Sequence, residues 1–305
     1  MSAPDAIKNS GRRTTRAFAG ALVRTARPGQ WVKNMLVFAA PAAAREIDRP
    51  SVALQALLAC VCFTLASAGA YFLNDARDAE ADRGHPDKRT RPVAAGLVGR
   101  TTAQGIGLAL FTVAAGAATM IGLAFLAVLV AYIAVTIAYS AWLKRIALLE
   151  AVVVAGGFVL RAVAGGAATG VPLTNWFLLV ALFGALFLVL GKRRAEQTQL
   201  REHAAAHRVV LTGYPADWLQ QVLTMSLTAT VISYCMWAFQ YLGGDVFIPV
   251  LAASALPFII TLMRYGLLVS QGAGQSPEHV IASDRFIQVA ATTWAILVFT
   301  GLYLA

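Results

Sequence analysis

The sequence predicts an all-α integral membrane protein, a bundle of about nine transmembrane helices. Hydrophobic residues make up 58% of the 305-residue chain and charged residues only 13%, whereas a soluble domain is about one quarter charged. The apolar residues are concentrated in segments of roughly 15 to 25 residues, and about 20 are needed to cross a bilayer as a helix. Together these two observations predict a multi-pass protein.

Nine apolar segments are the candidate spans. They cover residues 31–44, 52–73, 102–121, 122–142, 148–170, 176–191, 218–242, 247–269 and 286–304. The first segment is marginal for a hydrocarbon core about 30 Å thick. Residues 1–30 form a basic N-terminal segment, and residues 31–305 are expected to form a single transmembrane domain.

Lysine and arginine residues are distributed very unevenly among the loops. With the N-terminus inside, twenty-two of the 25 lie on the inner side, Arg45 and Arg49 lie outside, and Arg161 lies within a span. Such an excess marks the cytoplasmic side of a membrane protein. We therefore expect a plasma-membrane protein whose N-terminus and two long polar loops, 74–100 and 192–216, are cytoplasmic. The net charge of +10 follows from this topology, so no nucleic-acid partner is required.

An acidic motif directly follows the second apolar segment. Asp75, Asp78 and Asp82 come after Asn74 with a spacing that places them within about 60° of one another on a helix. Such a carboxylate face suits Mg²⁺, which takes oxygen ligands and completes its shell with water and substrate phosphates. We therefore predict that the three aspartates ligate Mg²⁺ in a diphosphate site. The alternative is a solvated loop whose acids neutralise nearby arginines.

Two polar clusters are candidate substrate contacts: Lys88, Arg89 and Arg91, which follow the motif closely, and Gln30, Lys33 and Asn34 at the start of the first span. Arginine binds phosphate through two parallel hydrogen bonds and lysine as a point charge. Lys33 and Asn34 enter the apolar run instead of stopping before it, which favours a ligand-facing role. For the basic residues after the motif, neutralisation of the acids is an equal alternative.

Glu150 and Arg161 are charged residues of the fifth apolar segment, and charges inside a membrane face a polar cavity or a partner. They lie eleven residues apart, so they share a helix face at a separation of about 16 Å. We expect both to line one cavity, with Arg161 contacting a phosphate; pairing with another helix is the alternative. Lys192, Arg193 and Arg194 after the sixth segment are expected to hold an anionic head group, or to be a positive-inside cluster.

The chain resembles the UbiA-type superfamily of intramembrane transferases over nearly its whole length. The resemblance depends on Asn74-Asp75-x-x-Asp78-x-x-x-Asp82 after a span, on the Arg91-Pro92 that follows, and on about nine spans. Within the superfamily the chain is most similar to the decaprenyl-phosphate phosphoribosyltransferases, through residues 27–34, 157–165 and 191–196. It differs from superfamily prenyltransferases after the sixth span, where a second Asp-rich motif is replaced by Glu196 and Glu202 among five basic residues.

The resemblance implies transfer of 5-phosphoribose from phosphoribosyl pyrophosphate to decaprenyl phosphate, for arabinan precursors of the cell wall. The donor would bind through Mg²⁺ to the acidic motif, and Lys33, Arg161 and residues 192–194 would take phosphate groups. The alternative is a UbiA-type aromatic prenyltransferase with a polyprenyl diphosphate donor. A transporter or flippase would require broken helices near the midplane, and only Arg161 fits that pattern. The oligomeric state, a homo-oligomer included, stays open, as do the acceptor's chain length and the number of Mg²⁺ ions.

Overall fold

The computed structural model describes residues 17–200, 213–240, 248–273 and 277–304, and every regular element within these ranges is helical. Eight helices in the described part of the chain are long and apolar enough to cross a membrane. They coincide with the second to ninth predicted spans, so the predicted all-α membrane bundle is confirmed. Residues 1–16 of the basic N-terminal segment and 201–212 of the second polar loop, with Glu202, lie outside the described residues.

The described part of the chain contains twelve α-helices. They are α1 (Ala17–Ala26), α2 (Ala39–Ala43), α3 (Pro50–Arg83), α4 (Arg100–Ile121), α5 (Leu123–Ala141), α6 (Leu149–Thr169), α7 (Asn175–Leu200), α8 (Ala216–Phe239), α9 (Ile248–Ala253), α10 (Ala255–Ser270), α11 (Pro277–Ser283) and α12 (Arg285–Tyr303). Three 3-10 helices lie between them, at Pro28–Phe38, Lys88–Thr90 and Leu143–Arg145. Helices α3 and α7 continue well past their predicted ends.

The first predicted span is a 3-10 helix, Pro28–Phe38, followed by the short helix α2. Arg27 adopts a left-handed backbone conformation (φ 53°), which turns the chain between α1 and Pro28. A 3-10 helix rises about 2.0 Å per residue against about 1.5 Å for an α-helix, so this segment and α2 together reach about 30 Å. That geometry makes a short segment long enough to cross, and a ninth crossing stays a prediction.

Glycines on α6 and α3 permit close approach of neighbouring backbones. A Cβ on Gly165 would collide with the carbonyl oxygen of Val37 in the 3-10 helix. A Cβ on Gly69 would lie 2.9 Å from the carbonyl oxygen of Gly107 on α4. Small residues at membrane helix interfaces allow this kind of contact. The 3-10 helix can therefore lie directly against α6.

The loop between α3 and α4 is packed against the bundle. Val93 and Val98 are buried in one apolar cluster with Ala21 of α1 and Phe72 of α3. The guanidinium Nε of Arg83 donates a hydrogen bond to a backbone carbonyl of this loop at 3.1 Å. The loop therefore folds back beneath the end of α3, and this fold brings its basic residues to the acidic motif.

Candidate active site

The acidic motif occupies the last turns of α3, which extends to Arg83, so the helical face predicted from the spacing is present. The side chains of Asp75 and Asp82 are 2% and 6% exposed, whereas that of Asp78 is 26% exposed. Buried carboxylates need a cation or several hydrogen bonds to stay charged. The structure provides cations from three other parts of the chain.

Asp75 and Asp82 share one arginine. Nη1 of Arg91 donates to Oδ2 of Asp82 at 2.7 Å and lies 3.5 Å from Oδ1 of Asp75. Nη2 of Arg27 also donates to Oδ1 of Asp75, and its guanidinium lies 4.6 Å from the ring centroid of Tyr71. The acids therefore neutralise nearby arginines, as in the alternative, but they do so on a helix and largely buried, not in a solvated loop.

Asp78 has a separate partner. Nζ of Lys144, in the turn between α5 and α6, donates to both carboxylate oxygens of Asp78 at 2.9 and 2.7 Å. Arg145 follows Lys144 on the same turn and faces the same side of the site. In the sequence both residues are predicted only to be positive charges on the inner side of the membrane. Nothing in their local sequence indicates that this turn lies opposite the acidic motif.

The fit of a divalent cation can be judged from these contacts. Among the residues that the structure describes, no three Asp, Glu, His or Cys side chains form a ready metal cluster, so ligation by all three aspartates stays a prediction. Yet the Arg91 nitrogen between Asp75 and Asp82 shows that one cation can contact two carboxylates. Mg²⁺ usually takes one or two carboxylates together with substrate phosphates and water. The donor set therefore fits Mg²⁺ bound together with a phosphorylated ligand.

A cavity of about 670 Å³ opens beside the motif, within the size range of small-molecule sites. Most of the side chains that line it carry a polar or charged group, and five of them are cationic. The lining residues are Arg27, Ser67, Ala70, Tyr71, Asn74, Asp78, Asp82, Lys88, Arg91, Tyr132, Thr136, Tyr139, Ser140, Lys144, Arg145 and Glu150. Six of these belong to the predicted site, Asn74, Asp78, Asp82, Lys88, Arg91 and Glu150, and Arg27, Lys144, Arg145 and the tyrosines are additions.

Arg161 lies behind the wall of this cavity instead of lining it. Its Nε donates to Oδ1 of Asn34 at 2.8 Å, Nη1 to the carbonyl of Gly157 at 2.8 Å, and Nη2 to the hydroxyl of Tyr132 at 2.9 Å. Asn34 in turn donates to Oγ of Ser67 at 3.2 Å. Tyr132 and Ser67 both line the cavity. Arg161 and Asn34 therefore support two wall residues, which differs from the predicted direct phosphate contact of Arg161.

Glu150 lines the cavity and is paired with Arg193, whereas Arg161 is not among the lining residues, so the expectation that both line one cavity holds for Glu150 alone. Nε and Nη2 of Arg193 donate to the two Glu150 oxygens at 2.6 and 2.8 Å, and Nη1 donates to Glu196 at 2.6 Å. Burial, with the neighbouring Glu150 carboxylate, raises the pKa of Tyr214 to about 12. The phenol thus keeps its proton, lies 3.3 Å from Glu150 and can donate to it. These contacts join α6, α7 and the segment that leads into α8.

The remaining predicted contacts lie outside the cavity wall. Arg89 is exposed, and Gln30 is half-buried. Lys33 is also half-buried, with Nζ 6.0 Å from the ring centroid of Phe158. Lys192 and Arg194 lie on α7, not on a loop, and Nε of Arg194 is buried with no hydrogen-bond partner. The structure therefore does not place these five residues among those that line the cavity.

Residues 35–276 match the UbiA prenyltransferase family. The chain belongs to this family. Two relatives of this UbiA-family protein are named decaprenyl-phosphate phosphoribosyltransferase. The one from Mycobacterium tuberculosis (strain CDC 1551) is 41% identical over 90% of this chain and 91% of its own length. The one from Corynebacterium glutamicum is 38% identical over 97% of this chain and 91% of its own length.

Solved structures of UbiA proteins share the fold. A UbiA homolog from Archaeoglobus fulgidus bound to DMAPP and Mg²⁺ has a TM-score of 0.69 and 18% identity, and the similarity covers 93% of this chain and 99% of that one. The same homolog bound to GPP and Mg²⁺ has a TM-score of 0.66 and 17% identity. At this identity the likeness concerns the helical fold. The expected UbiA-like architecture is confirmed.

Proposed function

We propose that this UbiA-family protein transfers 5-phosphoribose from phosphoribosyl pyrophosphate to a polyprenyl phosphate such as decaprenyl phosphate, and releases diphosphate. The observation that carries the proposal is the 38–41% identity, over at least 90% of the chain, to relatives named for that reaction. The cavity supports it independently, because its lining combines carboxylates that could ligate a metal ion with basic side chains that could bind diphosphate. The product would serve the synthesis of arabinan precursors for the cell wall.

The donor's phosphates would bind where carboxylates and cations meet. Asp75, Asp78 and Asp82 would hold Mg²⁺, which supplies positive charge to stabilise the departing diphosphate. Lys88 and Arg145 on the cavity wall are placed to contact phosphate oxygens. Hydrogen bonds between such charged groups are the strong ones.

The reaction requires the protein to bind both substrates and to stabilise charge. The bond between the ribose C1 and the diphosphate oxygen breaks, and a phosphate oxygen of the acceptor forms the new bond to C1. The acceptor is already an anion, so no strong general base is needed. The residues of the cavity would therefore act by positioning the two substrates and by stabilising developing charge.

The membrane setting agrees with a lipid acceptor. The acidic motif ends a helix that is long enough to span the bilayer, so a phosphate at the membrane surface can meet a donor from the aqueous side. The excess of Lys and Arg on the loops of this end supports an orientation with the site facing the cytoplasm. In a bacterial plasma membrane the lipid acceptor would then reach the cavity from the bilayer, and the donor would reach it from the cytoplasm.

The reaction is tested with purified protein in detergent, Mg²⁺, radiolabelled phosphoribosyl pyrophosphate and decaprenyl phosphate. We expect label to enter an organic-extractable lipid. Addition of EDTA or the Asp78→Asn substitution should abolish this transfer. Glu80→Gln is the matched control, because Glu80 lies on the same helix with an exposed side chain 3.7 Å from Arg100. Absence of labelled lipid with the unaltered protein would contradict the proposal.

A further inference from the structure

We propose that Lys144 exchanges partners when the donor binds. It neutralises Asp78 in the free protein and moves to the donor's phosphate oxygens when a divalent cation takes Asp78. This inference rests on the proposed function, since it concerns the same donor site. Its starting point is that the Lys144 ammonium contacts both carboxylate oxygens of Asp78. The ammonium thus occupies the face of the carboxylate that a metal ion would use.

Asp78 differs from the other two aspartates in the kind of cation that it binds. Asp75 and Asp82 are almost fully buried and share Arg91. The side chains of Asp78 and Lys144 are 26% and 24% exposed, and both line the cavity. A lysine is a single point charge on a flexible stem, whereas an arginine binds through a rigid planar fork. Asp78 is therefore the aspartate whose cation is replaced most easily.

The backbone that carries Lys144 is fixed at its far end. Leu148 has a φ of 68° and a ψ of −53°, and the N–H of Leu149 donates to the carbonyl of Ala147 at 2.9 Å. This is a γ-turn, a strained conformation for a residue with a side chain. The N–H of Leu148 also donates to the Tyr214 hydroxyl at 2.7 Å. With the turn anchored in this way, the Lys144 side chain is the part that moves.

A displaced Lys144 has no vacant carboxylate on the cavity wall. The acids that line the cavity in the described residues are Asp78, Asp82 and Glu150. Asp82 is bound by Arg91, and Glu150 by Arg193. An ammonium that gives up Asp78 to a metal ion therefore needs an anion from the ligand. The donor's diphosphate supplies that anion within the same cavity.

This exchange couples the metal to the diphosphate. A divalent cation alone must displace Lys144 and leave the ammonium without a partner, so it binds weakly. With diphosphate present the ammonium is paired again, and each ligand raises the affinity for the other by the same factor. Coupling between two ligands typically amounts to about 5- to 150-fold. Removal of the Lys144 charge should remove most of that coupling.

The test uses Mn²⁺ alone and radiolabelled inorganic diphosphate as probes on the purified full-length protein. Electron paramagnetic resonance measures Mn²⁺ binding in the absence of diphosphate, and equilibrium dialysis measures diphosphate binding at fixed Mn²⁺. In Lys144→Met we expect Mn²⁺ to bind about tenfold more tightly and diphosphate about tenfold more weakly, within the usual range of coupling. Opposite changes in the two affinities are the distinctive result.

Arg145→Met is the matched control for a general field effect. It removes a neighbouring positive charge that also lines the cavity but that has no contact with Asp78, so Mn²⁺ affinity should change by less than about twofold, as for weakly coupled surface charges. Equal tightening of Mn²⁺ binding in both variants would overturn the inference, and so would weaker Mn²⁺ binding in Lys144→Met. Lys144→Arg keeps the charge and serves as a second variant in case Lys144→Met folds poorly. It should bind Mn²⁺ no more tightly than the unaltered protein, and tighter binding would also overturn the inference.

These outcomes are separate from the proposed reaction. If the protein binds diphosphate with Mn²⁺ as described but transfers no phosphoribose, the proposed function fails and the exchange of Lys144 remains. If phosphoribose is transferred but the two variants behave alike, the exchange fails and the proposed function remains.

Discussion

Glu150 and Arg193 form a two-point ion pair between α6 and α7, with nitrogen–oxygen distances of 2.6 and 2.8 Å and side chains 1% and 5% exposed. Removing one partner of a buried pair costs about 3–5 kcal/mol, and without Glu150 the buried Arg193 would keep only its contact with Glu196, whose side chain is 19% exposed. We therefore expect Glu150→Gln to lower the thermal unfolding midpoint in detergent markedly. Combined with Arg193→Met, the loss should be smaller than for Glu150→Gln alone.

The control for this prediction is Glu46→Gln, because the Arg49–Glu46 pair is a surface pair with Arg49 67% exposed. Exposed ion pairs contribute about 0–1 kcal/mol, so this variant should unfold almost as the unaltered protein does. If Glu150→Gln were equally harmless, the pair would not hold α6 against α7.

A second prediction compares Arg91 with Arg89, two arginines of the loop between α3 and α4. Arg91 bridges Asp75 and Asp82 and lines the cavity, whereas Arg89 is exposed and lies outside the wall. Arg91→Gln should lower transferase activity by about a hundredfold, in the range seen when a group that stabilises developing charge is removed. Arg89→Gln should retain nearly full activity in the same label-transfer assay. Similar losses in both variants would contradict the site as described.

Gly165 and Gly156 give a third prediction, on stability. A Cβ at Gly165 would collide with the backbone of Val37, but one at Gly156 meets no atom within 4 Å. We expect Gly165→Ala to destabilise the protein by about 1–3 kcal/mol through overpacking. Gly156→Ala should be neutral or stabilising, since alanine favours a helix over glycine by about 1 kcal/mol. Thermal unfolding in one detergent measures both, and equal midpoints would refute the close approach of the 3-10 helix to α6.

The sequence predicted what depends on local patterns. Apolar length places the spanning helices, and the spacing of Asp75, Asp78 and Asp82 predicts their common face because both follow from helix geometry alone. For the first segment apolar length predicts only a marginal crossing, because it counts about 1.5 Å per residue as in an α-helix, whereas the chain forms a 3-10 helix there. A short apolar run cannot by itself reveal which of the two it adopts.

The partners of the charged residues could not be predicted in the same way. Glu150 and Arg161 do lie on one helix, but which neighbour each meets depends on how α6 packs against α5, α7 and the 3-10 helix. Likewise Arg27 and Lys144 reach the acidic motif from distant parts of the chain. These contacts depend on tertiary packing, which cannot be deduced from the local patterns of a single sequence.

We expect the cavity to transfer phosphoribose and not a prenyl group. One reaction mixture tests it, with phosphoribosyl pyrophosphate, a polyprenyl diphosphate, decaprenyl phosphate and 4-hydroxybenzoate present together with Mg²⁺. Mass spectrometry of the extracted lipids identifies which group has been transferred. We expect decaprenyl phosphate that carries one phosphoribosyl group, formed by the unaltered protein and not by Asp78→Asn. A prenylated benzoate in place of that lipid would contradict the account and make the acidic site a prenyl-diphosphate site.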